Sequence, residues 1–382
     1  MSVSATLERL PAEPRQESPG QGISILNPHG ASSAPSASGA PQASRISVAA
    51  HAANSPLEGR FRFHWFGLLT VAAWSLLGAI TLAWPNAPAG FEDWVYTAEF
   101  GIAALAVAAL LAFFTISASI RIGFLQGANA LFRHGAPWIA VSALLLTLWE
   151  ILTAKTGALP PPFFAPPSSL IEVYVGDYAR LADSAYNSVK LLLEGVAWGA
   201  AVGFTIGVSI GWSRTVNYWV HPILRFLGPL PPTALLPIAF FFFPSSHAAS
   251  VFLIALATGF PVAILSWSGV AGVNKAYYDV ARTMGASECF LIFRVAIPAA
   301  LPQVFVGLFM GFGASFVVLI VAEMMGVKSG LGWYLTWAQG YAAYVNMYGA
   351  LIVMTIIFSS LISLLFTVRD RVLVWQKGIV KW

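Results

Sequence analysis

Charge is scarce in this sequence: Asp, Glu, Lys and Arg together make up 9% of 382 residues, while 58% are hydrophobic. Water-soluble domains carry about 25% charged residues. So apolar a chain has too little polar surface to cover a water-soluble core, which places most of it in lipid. Cysteine is nearly absent. Cys289 stands alone, so an internal disulfide is excluded and no cysteine zinc cluster exists. The six histidines form no H-E-x-x-H pattern. No Gly-Lys dipeptide occurs, so the phosphate loop G-x-x-x-x-G-K-[ST] is missing and the chain is not an ATPase by that route. An intramembrane enzyme would need paired Asp, a His-Glu set or a Ser-His dyad at membrane depth. His64 is the one histidine well inside an apolar run, and it has no evident partner. Net charge is only +4 with the basic residues scattered, which argues against a nucleic-acid partner.

What is present is a series of apolar runs, each long enough to cross a bilayer as a helix of about 20 residues. They cover 63–84, 97–118, 136–153, 187–212, 222–244, 249–270, 303–324 and 346–368. The third is the shortest and carries Glu150 near its end. The runs are continuous and not alternating, which predicts an all-α polytopic membrane protein of about eight transmembrane helices, not a β-barrel. Residues 1–60 are rich in Ser, Pro, Ala and Gly, and read as a disordered tail. With the N-terminus placed in the cytoplasm, 13 Lys and Arg residues flank the inner ends of spans and three (Lys155, Arg180 and Lys328) the outer ends. The positive-inside rule favours that orientation, with both termini inside. Pro160, Pro161, Pro162, Pro166 and Pro167 predict an extended outer strap followed by a short surface helix.

Gly195, Gly199, Gly203, Gly207 and Gly211 recur every fourth residue and form one stripe without side chains. It serves either static helix packing or a sliding contact between moving helices. Pro222, Pro229, Pro231, Pro232 and Pro237 crowd the start of the fifth run, and Pro261 is expected to interrupt the sixth. Such breaks are either fixed kinks or markers of a substrate path. Glu323 is a lone carboxylate at the outer end of the seventh run, and either lines a gate or is a capped edge residue. Lys190 and Glu194, four apart, read as a structural pair. Trp84, Trp94, Trp333 and Trp337 read as interfacial aromatics.

The segment 275–302 is too long and too polar for a hairpin turn. Helical propensity runs from Ala276 to Met284, Gly285 permits positive φ, and a second helical piece runs from Ser287 to Val295, ending at Pro298. This predicts helix, glycine corner, helix on the cytoplasmic face. The spacing resembles the coupling loop of binding-protein-dependent ABC import permeases: Glu-Ala-Ala, three residues, Gly, nine residues, Ile, any residue, Leu-Pro. Asp279, Val280 and Ala281 stand for the first triplet, Gly285 for the glycine, and Val295, Ile297 and Pro298 for the end. The spacing is kept, and the replaced identities keep charge or apolar character.

From about residue 136 onward the chain is also similar to the nitrate, sulfonate, taurine and bicarbonate subgroup, on PPFFAPPSSL at 161–170, LPPTALLPIAF at 230–240 and AEMMGVKSGLGWYL at 322–335. It departs at PSSHAAS after Phe243 and in an extra pair of spans at 63–118, which the resemblance does not cover. The resemblance implies a type I importer permease domain at 135–382, with 61–134 an added hairpin and cytoplasmic linker. It implies a bacterial inner membrane location and an external substrate-binding protein. It implies cytoplasmic ATPase subunits carrying ATP and Mg, with no cofactor in this chain, and a permease homodimer. Pro237, Pro261 and Glu323 are the candidates for the pathway of a small anion. The alternative is a secondary transporter or channel without an ATPase, and the scarcity of mid-span charges speaks against it.

Overall fold

The computed structural model describes residues 65–88, 94–120, 126–228 and 230–375. The expected tail at 1–60, Pro229 and the last basic residues lie outside them. Twelve helices follow in order among the described residues. They are α1 Trp65–Ala83, α2 Thr97–Ile120, α3 Gln126–Glu150, α4 Ser169–Gly176, α5 Tyr178–Trp212, α6 Arg214–Leu227, α7 Leu236–Phe242, α8 Ser246–Ala271, α9 Lys275–Thr283, α10 Glu288–Met325, α11 Leu331–Gly340 and α12 Tyr344–Val372. Side-chain caps fix several starts. Ser213 Oγ accepts from Val216 N–H, Ser245 Oγ from Ala248 N–H, and Asn274 Oδ1 from Ala276 N–H.

The centre is α8, held between α5 and α10. A Cβ added at Gly199 would meet Ala255 O, at Gly203 Gly259 O, at Gly207 Ala263 O, and at Gly211 Val270 Cβ. The five expected glycines therefore bring the backbones of α5 and α8 into direct contact. Residue numbers rise together along this contact, so the two helices run parallel. Against α10 they run opposed, with Gly307 on Val262 and Gly311 on Thr258. Because α5 and α8 are parallel, residues 213–245 must return across the roughly 24 Å that the stripe spans at 1.5 Å per residue. That return is not the single helix expected at 222–244. α6 and the helical stretch Pro232–Phe242 meet at 86°. Counting it as one crossing, eight stretches of the described residues are long and apolar enough to cross a membrane.

Proline chemistry makes the bend tolerable. Non-helical backbone at membrane depth must not leave N–H groups bare. Pro231 and Pro232 have none, and the N–H groups of Gly228 and Leu230 donate to Leu224 O and Leu227 O. Pro261, by contrast, does not interrupt its span: α8 runs unbroken through it. α3 begins ten residues before the expected 136, so the boundary drawn at 134/135 falls inside a helix. α5 begins at Tyr178, nine residues before the expected 187.

The first hairpin, α1 and α2, packs on α3 and is fastened at the end of α1. Lys155 Nζ donates to Thr81 O, Trp84 O and Asn86 Oδ1 at 2.7–2.8 Å, and Ala87 N–H to Ala154 O. The ammonium thus satisfies carbonyls that the end of α1 leaves open. Glu150, fully buried, lies on the same stretch.

A Gly203→Ala substitution tests the close packing. Its Cβ would sit 2.5 Å from Gly259 O, where backbone cannot yield. Overpacking of this kind costs about 1–3 kcal/mol. The melting temperature of the purified chain is expected to fall, whereas Gly313→Ala, with nothing within 4 Å, should leave it equal or higher.

Candidate functional site

Two sites emerge, one at each end of the α8–α10 pair. The first is the corner at 275–302. α9 is strongly amphipathic yet buries no residue, and Tyr277, Val280 and Met284 stand open at its surface. It ends in a Schellman closure: Ala286 N–H donates to Ala281 O and Gly285 N–H to Arg282 O, with Gly285 at φ +82°. Ser287 Oγ then accepts from Phe290 N–H and opens α10. Arg282 spans the corner to Glu288 at 3.1 Å. Tyr278 lies edge-on to Trp212, tying α9 to the end of α5.

The second limb differs from expectation. It does not stop at Pro298 as a separate surface piece. Residues 288–296 continue into the long helix, with a π-type stretch at Leu291–Ala296 just before Pro298. Pro298 offers no N–H to the carbonyl four residues earlier, and the wider turn absorbs that mismatch. Ala296 and Ala300 pack against Val270 and Trp212, so the limb is rooted in the trunk. Asp279 and Val280 are exposed, Ala281 half-buried, while Val295, Ile297 and Pro298 lie on the rooted limb.

At the opposite end, Glu323 is 1% exposed. Ser188 Oγ lies 2.7 and 2.9 Å from its carboxylate oxygens and donates to them, and Gly332 N–H donates to Oε2 at 2.8 Å. Leu331 N–H donates to Ser188 Oγ at 2.8 Å. The carboxylate thus caps α11, a helix the sequence reading did not anticipate. Gly330 turns into α11 at φ +102°, and any Cβ there would run into that carboxylate. Nearby, the buried Tyr334 donates to Asp177 Oδ2 and accepts from Asn346, each at 2.7 Å. Burial, reinforced by the bond to Asp177, raises its pKa well above the usual phenol value.

The three candidate pathway residues are not gathered into one site. Glu323 faces inward among α5, α10 and α11. Pro237 sits in the first turn of α7, exposed. Pro261 lines an apolar groove with Gly228, Leu230, Pro232, Met310 and Ala314. Ser188 carried no sequence signal, because its partner is 135 residues away.

Comparison with known proteins adds the following. Residues 199–373 match the family of binding-protein-dependent transport system inner membrane components. A putative ABC transporter permease protein of Methanocaldococcus jannaschii is 28% identical over 63% of this chain and 91% of its own length. The bicarbonate transport system permease protein of Synechococcus elongatus is 30% identical, over 51% and 68%. The taurine transport system permease protein of Escherichia coli is 29% identical, over 62% and 89%.

Replacing Glu323 by Ala would leave Ser188 and the Gly332 N–H without their acceptor. Each unsatisfied buried group costs about 1–3 kcal/mol. Glu323→Ala and Gly330→Ala are both expected to lower the melting temperature by several degrees, read on the detergent-purified chain.

Proposed function

This chain belongs to the family of binding-protein-dependent transport system inner membrane components, and from that membership we propose how it couples and what it carries. It is a multi-pass permease subunit of an ABC importer, not an enzyme, and ATP is hydrolysed on a partner. Family membership implies an ATPase and a substrate-binding protein as partners. In our reading, the solute is a small anion of the bicarbonate, sulfonate or taurine kind, as the relatives' names suggest. The corner at 275–302 faces the cytoplasm with both termini, in the inner membrane, and α9 seats in the ATPase. The chain carries one such corner and ATPases act in pairs, so a homodimer of this permease is the simplest assembly. ATP and Mg belong to the ATPase.

The observation that carries this reading is the corner's construction. α9 presents an unburied surface, yet both its ends are rigidly held, by the Asn274 cap and Schellman closure and by the Arg282–Glu288 brace. A surface helix whose Tyr278 touches the trunk while Tyr277, Asp279 and Val280 stay exposed, on a stiff mount, suits a partner's groove.

Gly285 is the residue to test. A Cβ there meets nothing within 4 Å, so a substitution acts through backbone conformation alone. At φ +82° a β-branched residue is strongly disfavoured. Gly285→Val is expected to lower uptake at least tenfold at normal membrane expression, with ATP hydrolysis continuing. Wild-type uptake by Gly285→Val, or failure of the wild-type chain to co-purify with any ATP-hydrolysing protein, would refute the coupling role.

A further inference from the structure

α6 is strongly amphipathic, yet it buries no residue. Trp219, Ile223 and Phe226, three and four apart, form one exposed apolar strip along it. Arg214, Tyr218 and Arg225 form a second exposed strip, with Thr215 and Pro222 between the two. The remaining side rests on the trunk, where the His221 ring lies 4.5 Å from the Trp267 ring. Neither arginine takes part in an ion pair among the described residues. Nor does the sequence offer a nearby carboxylate: Asp and Glu are absent from 195 to 278.

The direction of α6 follows from its neighbours. The stretch Pro232–Phe242 runs alongside α8 in the opposite sense, because Pro232 shares a groove with Pro261 while the Phe243 ring lies 4.9 Å from that of Phe252. α6 meets that stretch at 86° and so lies nearly at right angles to α8, along the membrane and not through it. Its level is set by His221 on Trp267 and, just past its end, by Gly228 in one groove with Leu265. Those α8 residues stand four and six places before Ala271, about 6–9 Å short of the helix end. Gly195–Trp212 on α5 is free of charge, and at about 27 Å it nearly fills the hydrocarbon core. Arg214 therefore emerges where the hydrocarbon ends, and α6 lies in the headgroup layer on the side of the corner.

We propose that α6 is a membrane-surface helix, and that Arg214 and Arg225 bind the headgroups of anionic phospholipids in that leaflet. An in-plane helix with an apolar strip beside a cationic one has the make-up of such a helix: the apolar strip enters the acyl boundary and the charges stay among the headgroups. Tyr218 and Trp219 are the residue types that settle at this depth, and a guanidinium fork matches phosphate oxygens. Complementary charge selects lipid over a second copy of the chain, since two α6 helices face to face would gather four arginines with no carboxylate on either helix to offset them. The inference rests on the membrane location alone, on neither the solute nor the ATPase. It places a lipid mount directly after Trp212, whose contact with Tyr278 ties α9 to α5.

The test uses the full chain in nanodiscs of phosphatidylcholine. Ile223→Cys, in the middle of the apolar strip, is combined with Cys289→Ser and labelled with a bimane fluorophore. Phosphatidylglycerol or phosphatidylcholine, brominated on the acyl chain near the headgroup, is then included at one fixed mole fraction. Both lipids are expected to quench the label, the phosphatidylglycerol about twofold more strongly because its headgroup is enriched beside the arginines. Arg214→Gln with Arg225→Gln should abolish that preference, and Arg214→Lys with Arg225→Lys should keep most of it. Lys190→Gln with Lys328→Gln removes as much charge away from α6 and should change nothing; Lys190 is free for this use because Glu194, its expected partner, pairs with His247 at 3.0 Å instead. With both arginines in place, about 1 M salt, where the Debye length falls to about 3 Å, should also reduce the preference, a result that needs no variant of either arginine to fold. A label that neither lipid quenches overturns the proposal, as does quenching that ignores lipid charge or a preference that survives both the Gln variant and salt. A disulfide between the residue-223 cysteines of two unlabelled chains in native membranes would place a second copy on the strip and overturn it as well.

Discussion

Helices gain little in lipid by burying Leu against Leu, because the acyl chains are equally apolar. What holds them together is close approach, and here the approach is of backbone on backbone. Gly199, Gly203 and Gly207 admit the main chain of α8 from one side, and Gly307 and Gly311 admit it from the other. The same contact sets the topology. Parallel α5 and α8 oblige the chain to return between them, and the bent stretch of α6 and α7 is the result. Thr258 and Ser315 reinforce the α8–α10 side, their hydroxyls hydrogen-bonded to each other and Ser315 also to Gly311 O.

On the proposal that α9 docks on an ATPase, a trunk so tightly packed gives the corner at 275–302 a mechanical role. α8 leads into it through Gly272 and Asn274, and α10 leaves it at Glu288. The two helices that emerge from the corner are the two locked together above it. Force applied to α9 therefore reaches a single body instead of being lost between independently sliding helices. Cores packed at this density do not deform continuously, so displacement passes along them as rigid motion. Ala255, Gly259 and Ala263 interleave with the glycine stripe residue by residue.

The parts of this design that follow local rules were open to reading in the sequence. A glycine every fourth residue needs only the helical period, and Gly285 with its flanking spacing needs only turn chemistry. Apolar runs announced the membrane helices, though not where α3 and α5 begin, because both helices extend past the hydrocarbon into polar sequence that has no membrane signature. The bend between α6 and the Pro232–Phe242 stretch is signalled by the prolines around it, whereas Pro261 gives the same signal inside an intact helix. The difference lies in surroundings: α8 is clasped by α5 and α10, and packing overrides propensity there. Contacts that join distant stretches left no trace at all. Ser188 with Glu323, Lys155 with the end of α1 and Asp177 with Tyr334 each depend on the finished fold.

Glu323 shows how the two ends of the molecule differ in purpose. Its carboxylate, held by Ser188 and the Gly332 N–H, stands where the N-terminus of α11 gathers unpaired N–H groups. Its hydrogen-bond donors all come from within the chain, so no solute is required to explain its position. The bonds also join α5, α10 and α11 at a point remote from the corner. One long helix, α10, thus runs from the mount of α9 at one end to this three-helix joint at the other.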